Sequence, residues 1–159
     1  MNITIIAVGK LKEKYLEHAI DEYKKRLGRY CKLDIIEVPD EKTPDNASEK
    51  EEDQIRDREG KRIMSKIRDN AFVIAMDLKG KSLSSVEFSE LLDNCGTYGN
   101  SNIMFVIGGS LGISEEVLKR ADYKLCFSKM TFPHQLFRVM LMEQIYRGFR
   151  ISNGEPYHK

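Results

Sequence analysis

Two patterns of apolar and polar residues alternate along the chain and predict an α/β protein. Five short runs are rich in Ile, Val, Leu and Phe, and the segments between them carry apolar residues at helical spacing. The predicted strands are residues 2–8, 33–38, 71–76, 103–107 and 123–127. The predicted helices are residues 11–30, 47–69, 84–95, 114–121 and 133–150, and residues 77–80 are predicted to form a turn after the third strand.

The strand runs are apolar along most of their length, which is typical of strands that are buried on both faces. Strands of this kind in alternation with helices favour a mostly parallel sheet with helices on both faces. No internal repeat, linker or low-complexity tract interrupts the alternation, so we expect a single domain over residues 1–159. The pattern does not indicate the order of the strands in the sheet.

Charge is balanced over the whole chain but uneven along it. The sequence has 26 Lys and Arg against 25 Asp and Glu, and a net charge of +1 argues against binding to nucleic acid through overall charge. Residues 128–159 nevertheless carry five Lys or Arg against two Glu. A local basic patch would suit a phosphate-bearing partner, and a solvated surface explains the same pattern.

Cysteine usage and hydropathy indicate a cytoplasmic protein. Cys31, Cys95 and Cys126 have apolar neighbours and no metal-ligand spacing, which favours buried thiols in a reducing compartment and no metal site. The apolar run at the amino terminus is too short for a secretory signal. No run reaches the length that crosses a membrane, so we expect no membrane association.

Candidate ligand-binding segments follow the third, fourth and fifth predicted strands, because ligands of open parallel sheets bind beyond the carboxyl ends of the strands. The segments are residues 75–77, 108–112 and 127–132. The second has three glycines in five residues, which allows a ligand to approach the backbone, although a plain tight turn would look the same. Its spacing matches neither a dinucleotide fingerprint nor a P-loop. The third segment is, by itself, an ordinary connecting loop.

The last predicted helix is apolar around most of its circumference. Such a helix is buried on several sides, which favours a two-fold homodimer over a helix that is covered by its own tail. Glu143 and Arg147 have the spacing of a helical ion pair, and Arg138 and Arg150 also need partners if they are buried. His134 is interpreted as a structural histidine. In the exposed tail, His158 has no evident structural role, which favours a functional one.

Four motifs together resemble those of a known family. They are I-x-x-V-G-K-L-K near the amino terminus, G-G-S-L-G at residues 108–112, F-S-K-M-T-F-P-H from residue 127 and I-x-x-G-x-P-Y-H-K at the carboxyl terminus. The chain resembles the bacterial methyltransferases that modify N3 of a pseudouridine in large-subunit (23S) ribosomal RNA, which are minimal members of the SPOUT superfamily. The resemblance covers nearly the whole chain, and residues 41–69 contribute little to it.

The resemblance implies a fold, a cofactor and partners. It implies a SPOUT (α/β knot) fold with a carboxyl-terminal trefoil knot, S-adenosylmethionine as the methyl donor, a homodimer, and the assembled ribosome as the substrate. It also implies cofactor contacts at positions that fall on the three strand ends: Met76, Gly108, Phe127, Ser128, Lys129, Met130, Thr131 and Phe132. Ser110 and Leu111 depart from the residues that are common in the family, so we assign their side chains no role.

The implied reaction suggests catalytic residues. N3 of pseudouridine is an imide that must lose its proton before it attacks a methyl group. Our hypothesis is that His158, or alternatively Glu143, handles the proton, while Arg147 or Arg138 holds the anion or a phosphate. Tyr157 would stack on the base.

Two alternative interpretations of the sequence place the chain in other classes of protein. A phosphoacceptor receiver domain would use Asp77 and Lys129, but it needs acidic residues after the first strand, where this chain has Ala7-Val8-Gly9-Lys10. A non-enzymatic RNA-binding α/β module would explain the basic ends but not the glycine-rich segment.

Overall fold

The computed structural model describes residues 1–159 and contains five strands and five helices in the predicted order. The strands are β1 (Asn2–Val8), β2 (Lys32–Val38), β3 (Phe72–Ser82), β4 (Asn102–Ile107) and β5 (Tyr123–Cys126). The helices are α1 (Lys14–Leu27), α2 (Glu49–Met64), α3 (Ser85–Thr97), α4 (Glu115–Arg120) and α5 (His134–Ser152).

All strand pairs are parallel, and the sheet order is β2-β1-β4-β3-β5. Every strand therefore ends at the same edge of the sheet. The carboxyl ends of β4, β3 and β5 are neighbours there, although α3 and α4 separate these strands along the chain. This confirms the predicted parallel α/β class and supplies the strand order that the sequence pattern lacked.

Alternate side chains of the central strands point to opposite faces, and each face is covered by helices. Ile3 and Ile5 of β1 pack in the larger core with α1, α3 and α5. Ile6 and Val8 of the same strand pack in the smaller core, to which α2 contributes Ile63 and α4 contributes Val117. Helices cover both faces, as predicted.

Strand β3 is longer than predicted. Residues 77–80, which were expected to form a turn, lie inside β3 as an irregularity, because Met76 and Lys81 both pair with Leu125 of β5. A Cβ atom at Gly80 would lie 2.6 Å from the carbonyl carbon and oxygen of Lys124, so only glycine allows the two strands to approach so closely. The prediction of a simple turn was therefore wrong.

Helix α1 begins three residues later than predicted because the backbone before it has other partners. The N–H of Leu11 donates to Glu37 Oε2 at 2.8 Å, and the N–H of Lys12 donates to Gln135 Oε1 at 2.9 Å. These bonds tie the segment after β1 to β2 and to α5.

Arg138 of α5 is the largest fully buried side chain. Its guanidinium donates to Glu37 Oε2 at 2.6 Å and to the carbonyl of Gly9 at 2.7 Å. Burial opposes ionisation of Glu37, but the hydrogen bonds from Arg138 and from the Leu11 N–H outweigh it and lower the pKa of that carboxyl. Arg138 therefore joins α5 to the ends of β1 and β2.

Replacing Arg138 with Met is expected to lower the free energy of unfolding by about 2–4 kcal/mol, because the Gly9 carbonyl and the Glu37 carboxylate lose the buried guanidinium that donates to both. Urea denaturation monitored by circular dichroism measures the change. The control is Arg26→Met, which breaks an exposed ion pair with Glu22 and is expected to cost less than about 1 kcal/mol. Equal costs for the two variants would contradict a structural role for Arg138.

Candidate functional site

A cavity of about 160 Å³ lies at the carboxyl edge of the sheet, beside the irregular part of β3 and the ends of β4 and β5. Seven of the eight cofactor positions implied by the resemblance line it: Met76, Gly108, Phe127, Ser128, Met130, Thr131 and Phe132. Lys129 is the one position of the set that does not. The fold thus brings together three segments that are far apart in the sequence, while cofactor binding by them stays a prediction.

The glycine-rich segment forms a tight turn in the wall of this cavity. Gly112 has a φ of 89°, which favours glycine, and its N–H donates to the carbonyl of Gly109 at 3.0 Å. A Cβ at Gly108 would lie only 2.8 Å from Ile113 Cγ1, so a side chain there would force the turn open. The N–H of Ser110, at the tip of the turn, has no acceptor within the protein and is free to bind a ligand.

Aromatic side chains form the opposite wall. The ring of Phe137, on α5, packs edge-on against Phe127 with 4.9 Å between centroids and is nearly parallel to Phe132 at 6.3 Å. The loop that carries Phe127 and Phe132 is held by a hydrogen bond from the N–H of Met130 to Ser128 Oγ at 3.0 Å. The cavity therefore combines apolar walls with one free backbone donor, the Ser110 N–H, and this combination is typical of sites for nucleoside-like ligands.

Several residues outside the three candidate segments also line the cavity, among them Leu78, His134 and Phe137, whereas Asp77 belongs to the segment at residues 75–77. The irregular part of β3 places Asp77 and Leu78 there. Burial, and then the nearby Arg138 cation, lower the pKa of His134, so its ring is neutral at pH 7. His134 follows Pro133, directly after the candidate loop at residues 127–132, and this position could have indicated that it lines the cavity. The interpretation of His134 as a structural histidine missed that signal.

A second cavity of about 350 Å³ adjoins the first. The two share Leu125, Cys126 and Phe127 as a common wall. The second cavity is lined on its other sides by residues of α3 and α5, and its polar groups include Glu143 and a pair in which Ser85 Oγ donates to Gln144 Oε1 at 2.8 Å.

Four of the five predicted catalytic residues form one cluster that reaches this second cavity through Glu143. Arg147 donates to Glu143 from Nε at 2.8 Å and from Nη2 at 3.3 Å, and its Nη1 lies 3.1 Å from Nδ1 of His158. Tyr157 lies under the Arg147 guanidinium, 4.8 Å from ring centroid to Cζ.

Hydrogen bonding, burial and nearby charges determine which groups of this cluster are charged at neutral pH. The hydrogen bond to Glu143 raises the pKa of Arg147, which keeps its positive charge. Burial, with Glu143 nearby, raises the pKa of the Tyr157 phenol, so that group stays protonated at neutral pH. The cluster therefore offers one carboxylate, one cation and one neutral phenol around the exposed ring of His158.

The carboxyl-terminal tail is anchored, whereas the sequence reasoning treated it as a free exposed end. Glu155 accepts from Arg150 Nη1 at 2.7 Å and from the hydroxyl of Tyr30 at 2.8 Å, and Arg150 Nη2 donates to the carbonyl of Pro156 at 3.0 Å. The Tyr157 ring then packs edge-on against Tyr146 at 5.0 Å. The tail thus folds back on α1 and α5 and presents His158 at a defined place.

Arg138, the fifth predicted catalytic residue, does not join this cluster. It is only 2% exposed, and Glu37 and Gly9 bind its guanidinium. A guanidinium held in this way cannot reach an RNA phosphate or a base, so its role is to fix α5 on the sheet.

Helix α5 has one buried and one outward-facing side. Leu141, Met142, Ile145 and Gly148 are buried against the sheet, α1 and α3. Leu136 is 40% exposed, and Met140, Glu143 and Arg147 follow it at helical spacing and are half-buried. The tail contacts Tyr146 and Arg147, while Leu136 stays exposed, so the alternative of a helix buried under its own tail accounts for only part of the apolar surface.

No group of three or more His, Cys, Asp or Glu side chains is arranged to hold a metal ion. None of the helices has the length and apolar character needed to span a membrane.

Comparisons with known proteins agree with this geometry. A family model described as predicted SPOUT methyltransferase matches residues 1–158. Proteins named ribosomal RNA large subunit methyltransferase H match the chain over the full length of both sequences, with 76% identity for one from Clostridium perfringens and 73% for one from Clostridium botulinum.

Solved structures show the same fold at low sequence identity. A probable methylase family protein from Haemophilus influenzae has a TM-score of 0.55 at 14% identity, over 99% of this chain and 70% of its own. A tRNA methyltransferase from Aquifex aeolicus has a TM-score of 0.51 at 12% identity, over 92% of this chain and 70% of its own.

These matches decide between the methyltransferase interpretation and the two alternatives that the sequence left open. The trefoil knot predicted for the carboxyl-terminal part is a property of the family. The interpretations as a receiver domain and as a non-enzymatic RNA-binding module are rejected, because the matched family and relatives are named as methyltransferases. With its parallel sheet, its converging strand ends and a family match that leaves out only the last residue, the chain belongs to the SPOUT methyltransferase family.

Proposed function

We propose that this protein uses S-adenosylmethionine to methylate N3 of a pseudouridine in 23S ribosomal RNA, on the assembled ribosome in the cytoplasm. The observation that carries the proposal is the cavity formed by three strand ends, in a chain at least 73% identical over its full length to enzymes named for the RNA of the large subunit. The whole chain, residues 1–159, acts as one domain in this proposal.

The first cavity fits the methyl donor. Phe127, Phe132 and Met76 supply apolar surface for an adenine ring, and the Ser110 N–H is a donor for a polar edge. Because Gly108 has no side chain, the glycine-rich turn can pack tightly and form a wall of this cavity. When bound, the donor supplies an electrophilic methyl group on a positively charged sulfur.

The second cavity fits the acceptor base. It adjoins the first at Leu125, Cys126 and Phe127, so an in-line transfer requires the acceptor N3 to reach the donor methyl group where the two cavities meet. The imide edge of a uracil ring has one N–H between two carbonyls. Gln144 and Ser85 offer both donors and acceptors to such an edge, and Glu143 offers a carboxylate near the imide proton.

Arg147 and Tyr157 lie outside the second cavity and are joined to it by Glu143, which Arg147 binds. The Arg147 cation stabilises the negative charge that the ring carbonyls acquire when N3 is deprotonated. Tyr157 presents an aromatic ring next to that cation, where an unpaired base can stack.

Glu143 and His158 are the two candidates for the proton acceptor. Arg147 can only donate, so Nδ1 of His158 accepts and a neutral His158 carries its proton on Nε2. In this arrangement His158 donates a hydrogen bond to the base, and it accepts the imide proton only if Arg147 leaves Nδ1. Glu143 keeps unused lone pairs while it is bound to Arg147.

A homodimer would complete the site. The outward stripe of α5 runs from Leu136 and Met140 to Glu143 and Arg147, so a second copy packed on the apolar part would lie beside the catalytic cluster. One subunit offers a small surface for a folded RNA, and the second subunit would enlarge it.

Replacing His158 with Ala is expected to lower turnover about 10²–10⁴-fold, because it removes a group that handles or positions the proton. The affinity for S-adenosylmethionine should change less than about twofold, since His158 does not line the first cavity. The measurement is transfer of a labelled methyl group to intact ribosomes and to stripped RNA, with calorimetry for the cofactor. Lys159→Ala is the control, and wild-type turnover in His158→Ala would remove His158 from the mechanism.

Replacing Leu136 with Asp is expected to shift a dimer to a monomer, because it places a charge in the proposed apolar contact. Size-exclusion chromatography with light scattering measures the mass. Tyr98→Asp alters another exposed apolar side chain, 79% accessible and outside α5, and should leave the dimer intact. A wild-type protein of monomeric mass, or a dimer that survives Leu136→Asp, would contradict this interface.

A further inference from the structure

Helix α2 is the most charged element of the chain, yet one of its faces contacts the glycine-rich turn at two points and the N-cap of α4 at a third. Arg56 Nη1 donates to the carbonyl of Leu111 at 3.2 Å. Gly60 lies so close to Ser114 that a Cβ there would be 2.2 Å from Ser114 Oγ. Glu59 lies between Arg56 and Gly60 in the sequence, and its carboxylate is in contact with the backbone of Gly109. The turn that lines the first cavity is therefore backed by α2.

Glu59 is a buried carboxyl without a cationic partner. It is 4% exposed; Oε2 accepts the N–H of Glu41 at 2.9 Å, and Oε1 has no hydrogen-bond partner. Arg58 and Arg62 are nearby but form their ion pairs with Glu41. Burial, together with Asp40 and Glu41, raises the pKa of Glu59 against the opposing effects of the Glu41 N–H and Arg62.

Such a group destabilises the fold. A carboxylate removed from water without a paired cation costs free energy, and an amide of the same shape would cost less. Residues that are unfavourable for stability are found where function needs them. The position of Glu59 indicates what that function is.

The unpaired oxygen faces Gly109. A Cβ at Gly109 would lie 2.8 Å from Oε1 and 3.2 Å from Oε2 of Glu59, so the carboxylate is in contact with the backbone of a residue that lines the first cavity. Only the glycine turn separates the Glu59 carboxyl group from the first cavity. In a protein interior, one uncompensated charge acts on another over that range.

We propose that Glu59 is a specificity-determining residue that favours the positively charged sulfonium of the methyl donor over the neutral thioether left after transfer. The inference rests on the proposed function. Glu59 acts through space across Gly109 and touches neither ligand. By binding the cationic donor more tightly than the product, the site would load substrate and release the demethylated cofactor.

The test compares the affinities of S-adenosylmethionine and S-adenosylhomocysteine by calorimetry at pH 7.5, together with the thermal stability of the unliganded protein. Glu59→Gln keeps the side-chain shape and an acceptor for the Glu41 N–H. We expect it to weaken binding of S-adenosylmethionine about 3–10-fold, to change binding of S-adenosylhomocysteine less than about twofold, and to leave the melting temperature unchanged or higher.

Three further variants separate charge from shape. Glu49→Gln removes an exposed carboxylate from the same helix and should change neither affinity. Glu59→Asp keeps the charge and should keep the wild-type ratio of the two affinities. Gly109→Ala forces the turn against Glu59 and should weaken both ligands alike.

The outcomes that overturn the proposal are distinct from failure of the proposed function. Equal loss of both ligands in Glu59→Gln would mean that Glu59 acts through the shape of the turn, and unchanged affinities would mean that its charge does not reach the cavity. Loss of the affinity ratio in Glu59→Asp would also overturn it. A wild-type protein that binds neither ligand would instead reject the proposed function.

Discussion

The parallel pairing of β5 against β3 is the constraint on which the rest of the structure depends. It places the last strand of the sheet beside a strand that precedes it by two helices and one other strand, and it requires Gly80 at the point where the backbones approach. Because all strands run in the same direction, this pairing puts the ends of β3, β4 and β5 side by side. The first cavity is a direct consequence.

Helix α5 then connects that cavity to the carboxyl terminus. It begins at the loop that lines the first cavity, it is fixed to the sheet by Arg138, and it carries Glu143 and Arg147 along its outward face. The tail returns to the same helix, where Arg150 and Glu155 hold it. A short chain can in this way bring a ligand-binding loop and a polar cluster to adjoining cavities without a separate domain for each.

The sequence pattern was sufficient for the element order, the parallel sheet and the three strand ends, because buried parallel strands are apolar throughout and each is followed by a recognisable helix. It failed at residues 77–80, where Asp, Lys and Gly indicate a turn in isolation but form an unpaired irregularity inside β3, because Met76 before them and Lys81 after them both pair with Leu125 of β5. Strand order was beyond the pattern for the same reason, since it is set by contacts between residues far apart in the sequence.

The candidate site, like the fold, was only partly predictable from the sequence. Local motifs identified the loops that line the first cavity, but Arg138 was assigned to the cluster with Arg147 because both are arginines on an apolar helix. Their partners, Glu37 and Glu143, decide their roles, and Glu37 lies 101 residues away in the sequence. Glu59 gave no signal at all, because a glutamate in a charged helix looks solvated until the contact with Gly109 is known.

The central claim is that the three segments at the carboxyl edge form one binding site, and amide hydrogen exchange with and without S-adenosylmethionine tests it most directly. The account predicts that the cofactor slows exchange together in residues 76–80, 108–112 and 127–132. Protection of only one of these segments, or no change in any of them, would contradict it.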